Sequence, residues 1–535
     1  MISPHRDGML SKAVNKRTRM LHRMAVLMLG IAVFFLTACS SSRKAFNPDR
    51  KFAPANLKQD FTLFRNILEE SHPSLYWFNP KDSMDLYFDE GFRQITDSMT
   101  EPQFRNILSV ITSKIRCGHT SMRYSKRYND WLDTARIPMF PFTVKVWGPD
   151  SVAVVGSLNR KDSLLKRGTI VTAIDGRPVS QLIDTFTNFL QSDGNIISGK
   201  YQMMSNRNSF GNLYRTVYGM PEKVQVDYID SNGLPQSTLI AAFQPPPPVK
   251  DKPRTDSSTR KQPPAPGIPA PKPPKEVPKV VALNASRSVQ IDTSLKSAYM
   301  TVNTFSSGHR LRGFFRRSFR EMKKREIKFL VVDVRNNGGG DAGNSTLLTK
   351  FISKKKFKLA DSLYTTKRSS HYRKHIELQP LYWLWTMFVT HKASDGKYHF
   401  GYFERHYYKP KKRNHYDGQV YIIMGGNSFS ATTLFAKAVQ GQDNVTVVGE
   451  ETGGGAYGNT AWMIPDVTLP NTRIRFRLPR FKLIMDPALV KEGRGIRPDI
   501  EVGVNSNIIK RGVDPKLGVV IRMIRDSVKV HGGVK

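Results

Sequence analysis

The spacing of apolar positions changes several times along the chain, and each change marks an element. Leu57, Phe61, Phe64 and Leu68 recur at helical spacing. A second helix is announced by Thr100-Glu101-Pro102-Gln103, a capping-box sequence with proline in the first turn. Its apolar stripe is Phe104, Ile107, Leu108, Ile111 and Ile115. The stripe stops at Arg116-Cys117-Gly118-His119-Thr120, where Gly118 can close the helix and leave His119 on the loop behind it. From 137 to 243 the period falls toward two. Strands are expected over 142–146, 152–155 and 169–174, with a turn at Asp175-Gly176 and a helix over 178–190. A strand pair, 224–229 and 238–243, is expected across Asn232-Gly233.

Beyond residue 291 the pattern becomes that of alternating strands and helices. Residues 299–305 read as a strand, and Leu311, Phe314, Phe315, Phe319 and Met322 form a helix face. The run 327–334 is nearly all apolar, as expected of a parallel strand covered on both faces. It leads through Asn337-Gly338-Gly339-Gly340 into a helix carrying Leu347, Leu348 and Phe351. The unit recurs: an apolar run at 420–424, the turn Gly425-Gly426-Asn427-Ser428-Phe429-Ser430, then a helix over 431–439 and a strand at 445–448. Such alternation predicts right-handed crossovers and an α/β core. The intervening 371–415 is aromatic and basic, and Leu381 to Phe388 reads as core or pocket wall.

Composition sets the frame. At 535 residues, 39% of them hydrophobic, the chain is long enough for two to four domains with sizeable cores. With 83 basic and 44 acidic residues the formal charge is +39, which suits an anionic envelope surface or acidic substrates. The basic residues are spread along the chain, no zinc-finger spacing or basic zipper is present, and no nucleic acid is expected as a partner. Arg17, Arg19 and Arg23 precede an apolar run over 24–36 that ends in Leu36-Thr37-Ala38-Cys39, the outline of a secretory signal and too short for a spanning helix. The ending resembles the lipobox of bacterial lipoproteins, which implies lipidation at Cys39. The leader is long, and a start at Met9 or Met20 would shorten it. A lipidated Cys39 leaves Cys117 alone, so no intrachain disulfide is expected. Residues 40–55 read as a tether, and 245–280, rich in proline and lysine, as an extended linker.

Three loops could carry chemistry. Ser430 lies where strand, tight turn and helix meet, beside unpaired N–H groups and the positive end of a helix dipole, a setting for a nucleophile or for a plain N-cap. The glycine run at Gly338, Gly339 and Gly340 can offer backbone N–H groups to an oxyanion. His119 is a candidate base. Rivals are His309, after a core strand, and His72, whose place before Pro73 suits a structural role. His371 and His375 are four apart but lack the glutamate of the metalloprotease pattern, so no metal is expected. Cys117 reads as a buried thiol, because no turn presents it.

Taken together, Val331-Val332-Asp333-Val334-Arg335-Asn336-Asn337-Gly338-Gly339-Gly340, Ser428-Phe429-Ser430-Ala431, Thr452-Gly453-Gly454-Gly455 and Gly495-Ile496-Arg497-Pro498-Asp499-Ile500 resemble the tail-specific, or C-terminal-processing, serine peptidases. The resemblance runs from about Leu57 to Val504. It implies a crotonase/ClpP-like α/β protease core over 281–507, an N-terminal helical subdomain over 56–136 and a β-rich, PDZ-like module over 137–244. Residues 508–535 would form a C-terminal helix or tail. The stretch 166–179, with Gly168, Ile170, Ile174, Gly176 and Val179, resembles the core of PDZ-like modules. One catalytic design of the family uses a lysine after the nucleophile helix, and 452–458 has none. The tricorn-type design uses a histidine from the N-terminal part and a glutamate before the Pro-Asp-Ile segment, which His119 and Glu492 match. Gly338, Gly339 and Ala431 would then hold the oxyanion. The chain departs from the tricorn-type pattern at Gly118, where that pattern has serine, and from the lysine type at Thr433, where glutamate is usual. The resulting expectation is a lipid-anchored peptidase in the cell envelope of a Gram-negative-type bacterium, acting on polypeptides with no cofactor and with its oligomeric state open. The alternative is a lipoprotein of the same scaffold that binds peptides or hydrophobic ligands without hydrolysis.

Overall fold

The computed structural model describes residues 46–159, 164–246 and 283–532. The leader with Cys39, the start of the tether and most of the proline-rich linker lie outside the described residues. Helix α1 (Pro54–Ser71) buries Leu57, Phe61, Phe64 and Leu68, the stripe its sequence announces. Helix α2 (Lys81–Arg93) buries only Met84, Phe88 and Gly91, too thin a stripe to stand out from its spacing. Helix α3 (Glu101–Lys114) opens with the capping box complete: the Thr100 side chain accepts from Gln103 N–H, and Gln103 accepts from Thr100 N–H. Its end differs from the expected one. Arg116, at φ 55°, makes the left-handed residue, and Gly118 serves another purpose described below. These helices share a core with Val467, Leu469, Ile474, Phe476 and Leu478 from far along the chain.

An antiparallel sheet follows, β1 (Phe142–Val146), β2 (Val152–Ser157), β3 (Ile170–Ile174), β4 (Lys223–Ile229) and β5 (Pro235–Ala241), in that order. Asp175 and Gly176 both have positive φ, 47° and 72°, the signature of a tight hairpin turn. Helix α4 (Val179–Thr187) is the expected one; α5 (Ser198–Ser205) is an addition with weak periodicity, and α6 (Ser209–Tyr218) is an addition that does carry an apolar face, burying Phe210 and Tyr214. Phe140, Phe142, Phe186, Phe210 and Tyr214 close this core.

The third core is built on one sheet: β6 (Arg287–Asp292), β7 (Ser297–Val302), β8 (Phe329–Asp333), β9 (Gln419–Met424), β10 (Val445–Gly449) and β11 (Ile500–Glu501), in that spatial order. β6 pairs antiparallel to β7, and every later pair is parallel. Both faces are covered, which explains the continuous apolar runs. Leu330, Val332, Val420 and Ile422 face one core with helices α7 (Leu311–Lys324), α8 (Ala342–Ile352) and α10 (Ala431–Val439). Val331, Tyr421 and Ile423 face another, closed by Val520 and Ile524 of α11 (Pro515–Gly532).

Helix α9 (Gln379–Val389) bears out the reading of 381–388 as core or pocket wall only in part: Tyr382 and Trp385 pack into a core, and most of the other apolar side chains do not. Its buried strip is Gln379, Tyr382 and Thr386, with Arg480 laid over the Tyr382 ring at 4.5 Å. Leu381, Trp383, Leu384 and Met387 are therefore exposed, and Phe388 is 82% exposed. Among the described residues no helix is long and apolar enough to cross a membrane.

Candidate active site

The three chemically suggestive loops converge at the C-terminal ends of the parallel strands, where α/β sheets place their sites. The turn after β9 delivers Ser430 at φ 56° and ψ −119°, directly before α10. A non-glycine residue held there costs about 1–3 kcal/mol, a strain that persists only when its surroundings enforce it. The enforcement is visible. Ser428 donates from Oγ to the Val334 carbonyl (2.8 Å) and accepts at Oγ from Gly425 N–H (3.2 Å). Phe429 N–H and Thr432 Oγ1 both donate to the Asn337 carbonyl, at 3.1 and 2.9 Å. The fully buried Asn337 side chain donates to the Val302 carbonyl (3.0 Å) and accepts from Gly339 N–H (2.9 Å). Asn337 thus ties the glycine loop to the serine turn. Ser430 makes no side-chain cap to its helix. Its Oγ instead meets His119 Nε2 at 3.0 Å.

His119 is buried, 6% exposed, with its ring against that of Phe429 at 4.6 Å between centroids. Burial, helped by the positive charge of Arg477, pushes its pKa down to about 3. The imidazole is neutral across the physiological range, the form that accepts a proton. Nδ1 has no hydrogen-bond partner among the described residues. The packing of Phe429 also explains Gly118: a Cβ there would lie 2.6 Å from Phe429 Cζ. The departure from the tricorn-type pattern therefore makes room for the ring that positions the base.

Behind the His119 loop sits Asp193, which the sequence reading misses. It is 2% exposed and accepts at Oδ1 from Gly118 N–H (2.8 Å), with a further bond from Gly455 N–H. Burial pushes its pKa up to about 7. Nothing in Gln191-Ser192-Asp193-Gly194 but a polar turn marks it, and its partner Gly118 is 75 residues away. Asp193→Asn keeps the Oδ1 acceptor and is expected to leave activity near wild type. Asp193→Ala removes it and is expected to cost about 1–3 kcal/mol of stability and about tenfold in kcat through a loosened His119 loop, read by thermal melts and steady-state kinetics together.

The oxyanion candidates separate on inspection. Gly339 N–H is committed to Asn337 Oδ1. The N–H groups of Gly338 and Ala431 have no acceptor among the described residues. Gly339 itself, at φ 96°, is required by space: a Cβ there would lie 2.8 Å from Ser430 Cβ and 3.0 Å from Ala431 N.

Other expected site residues lie apart. Glu492 is exposed, its carboxylate makes no hydrogen bond or ion pair among the described residues, and only its carbonyl is engaged, by Asn195 Nδ2 at 3.3 Å. The chain turns through Gly493 at φ 60°, which packs against Asn195 and Phe78, so the carboxylate is not brought to His119. Thr433 Oγ1 donates to the Ser430 carbonyl at 2.6 Å and serves its own helix. Cys117 is a buried free thiol whose pKa burial pushes up to about 12. His72 is buried, bonded to Thr120 Oγ1 at 2.8 Å, and pushed down to about 3 by burial. Among the described residues His309 lends its carbonyl to Arg287 and its ring makes no bond. His371 is bonded to Glu70, and no group of metal-ligating side chains occurs among the described residues. No lysine ammonium hydrogen-bonds Ser430 among them either; the lysine beside the turn, Lys516, is paired with Glu450.

A strained serine after a strand, a neutral histidine touching it and free backbone N–H groups nearby define a serine-hydrolase type of site. Residues 296–502 match the model of peptidase family S41. That match is to a serine-type peptidase of the tail-specific kind, and it spans the sheet from β7 to β11, the glycine loop and the Ser430 turn. No curated protein matches it. Mature CPAF complexed with lactacystin is similar in structure, with 12% identity over 90% of this chain and 99% of that one and a TM-score of 0.59. A second structure of mature CPAF has 13% identity over 85% and 94% of the two chains, at a TM-score of 0.55. At these identities the likeness speaks for the fold.

Proposed function

We propose that the protein hydrolyses peptide bonds in polypeptides with Ser430 as nucleophile, His119 as general base and the N–H groups of Gly338 and Ala431 as oxyanion donors. The observation that carries this is the 3.0 Å contact between Ser430 Oγ and the buried, neutral imidazole. Oγ attacks the scissile carbonyl carbon, its proton passes to His119 Nε2, and the carbonyl electrons move onto oxygen. As the intermediate collapses, the C–N bond breaks and Nε2 returns the proton to the leaving amine. Water then repeats the sequence on the acyl ester. Glu492 takes no part in these steps. The 137–244 module, with an antiparallel sheet whose last strand β5 is largely exposed, is read as PDZ-like and suited to adding a substrate strand. Lipidation at Cys39 and residence in the cell envelope rest on the leader sequence and belong to the same proposal.

The test pairs chemistry with products. The full-length protein is treated with a fluorophosphonate probe and, separately, with casein and a mixed peptide library, all read by mass spectrometry. One adduct on the peptide containing Ser430, with library cleavage, is the expected result. An adduct elsewhere removes Ser430 as nucleophile. Neither adduct nor cleavage moves the protein to the non-hydrolytic binding reading.

A further inference from the structure

Ser430 opens onto a cavity of 780 Å³ with an apolar floor that includes Leu434 and Leu483. Its charged lining is lopsided. Arg312, Arg316, Lys350 and Arg477 line it against a single carboxylate, Asp341. Asp341 is already occupied as the N-cap of α8, accepting from Asn344 N–H at 3.0 Å. No ion pair or hydrogen bond engages the guanidinium of Arg312, Arg316 or Arg477 among the described residues.

Arg477 is the informative member. Unlike Arg312 and Arg316, which are exposed, it is half-buried. The nearby carboxylate, Asp466, is taken by two other guanidinium groups, Arg123 and Arg475, each at 3.1 Å. Burial and the charge of Arg123 act together to lower the pKa of Arg477, so the cation sits where its neighbours disfavour charge. Its field reaches the base, since its charge helps to keep His119 neutral. A half-desolvated guanidinium without an anion, in the cavity of the nucleophile, is a vacant half of a charge-assisted pair. Arginine presents a planar fork matched to a carboxylate, and the cavity supplies three further cations.

We infer that this cavity is a carboxylate-binding subsite centred on Arg477, and that the enzyme selects polypeptides carrying a carboxylate next to the scissile bond. The inference rests on the peptidase reading above. The carboxylate is that of an Asp or Glu side chain beside the bond that Ser430 attacks. The high positive charge of the protein, +39, favours encounter with such chains.

The experiment uses the full-length protein and four fluorogenic peptides of one sequence: Glu or Gln beside the cleaved bond, each with a free or an amidated C-terminus. One charge-assisted pair in this setting is expected to change kcat/KM by about 10- to 100-fold. Loss on Glu-to-Gln exchange, with free and amidated ends alike, supports the subsite, and loss on amidation alone removes it. Equal cleavage of all four, with Ser430 labelled by the probe, overturns the subsite and leaves the peptidase standing. No cleavage and no labelling overturns both. In Arg477→Gln the ratio between charged and neutral peptides is expected to collapse toward one, and in Arg477→Glu to invert toward a lysine peptide. A ratio retained in both folded variants removes Arg477. Should those variants misfold, peptide binding to Ser430→Ala by fluorescence anisotropy decides instead: tighter binding of the charged peptide, weakened by salt, supports the subsite, and equal binding of charged and neutral peptides refutes it.

Discussion

Ser430→Ala and His119→Ala are each expected to lower kcat by about 10⁴- to 10⁶-fold, and the double variant no further than the worse single one. The non-additivity follows from the geometry. Oγ loses its proton only to Nε2, 3.0 Å away, so removing either atom removes the same step. Single-turnover kinetics on one peptide measure all three; additive losses would show that Ser430 and His119 act independently. The same pair sets the pH profile. With its pKa pushed down to about 3, His119 stays neutral, and kcat/KM is expected to be flat from pH 8 to pH 5. A histidine at the ordinary value near 6.5 would already have lost about 30-fold at pH 5. The profile is to be taken only where circular dichroism shows folded protein, because burial also ties these groups to stability. His119 and His72 have folded pKa values below the unfolded one, so their contribution is lost as pH falls from about 6.5 toward 3. Asp193, raised to about 7, works in the opposite direction and gains as pH falls from about 7 toward its unfolded value. An acid limb at pH 6 to 7 that persists in folded Asp193→Asn would remove a buried His119 as the base.

Gly339→Ala is expected to lower kcat by about 10²- to 10³-fold, the scale of losing an oxyanion donor. Its Cβ would press within 2.7 Å of the Phe429 carbonyl and 3.0 Å of Ala431 N, so the new methyl occupies the space an oxyanion needs. The φ of 96° adds a backbone cost of about 1–2 kcal/mol. Gly338→Ala makes the contrast. No atom lies within 4 Å of its added Cβ, its φ is ordinary and its N–H is retained, so its loss in kcat should be far smaller. Thermal melts of both variants separate a local block from general destabilisation. Equal effects at 338 and 339 would mean that the loop does not shape the oxyanion site in this way.

Much of this site is legible in local sequence because its parts are local devices. The strand, turn and helix around Ser430, the glycine loop after β8 and the capping box of α3 each depend on residues within a few positions. Their apolar periods and turn formers point one way, and the structure follows them nearly residue for residue, as at Ala431–Val439. What local signals could not supply is distance. Asp193 and Gly118 meet only through packing, and Glu492 turns away because Gly493 takes a left-handed φ. Gly118 reads as a helix closer until Phe429 occupies its space. The exposed face of α9 is a similar case, since an apolar run says that a helix is greasy but not which side finds a neighbour.

By itself, then, the sequence determined the α/β core, the likeness to the tail-specific peptidases and the residue types able to attack, accept a proton and hold an oxyanion. Periodicity and turn chemistry act over a few residues and survive without a partner. Tertiary structure alone decided that His119 reaches Ser430 across 311 positions of chain, that its imidazole is buried and neutral, and that Arg477 faces the cavity beside it without an anion. Those facts depend on desolvation and on which charges are left over once every other pair has formed, and both are properties of the packed molecule.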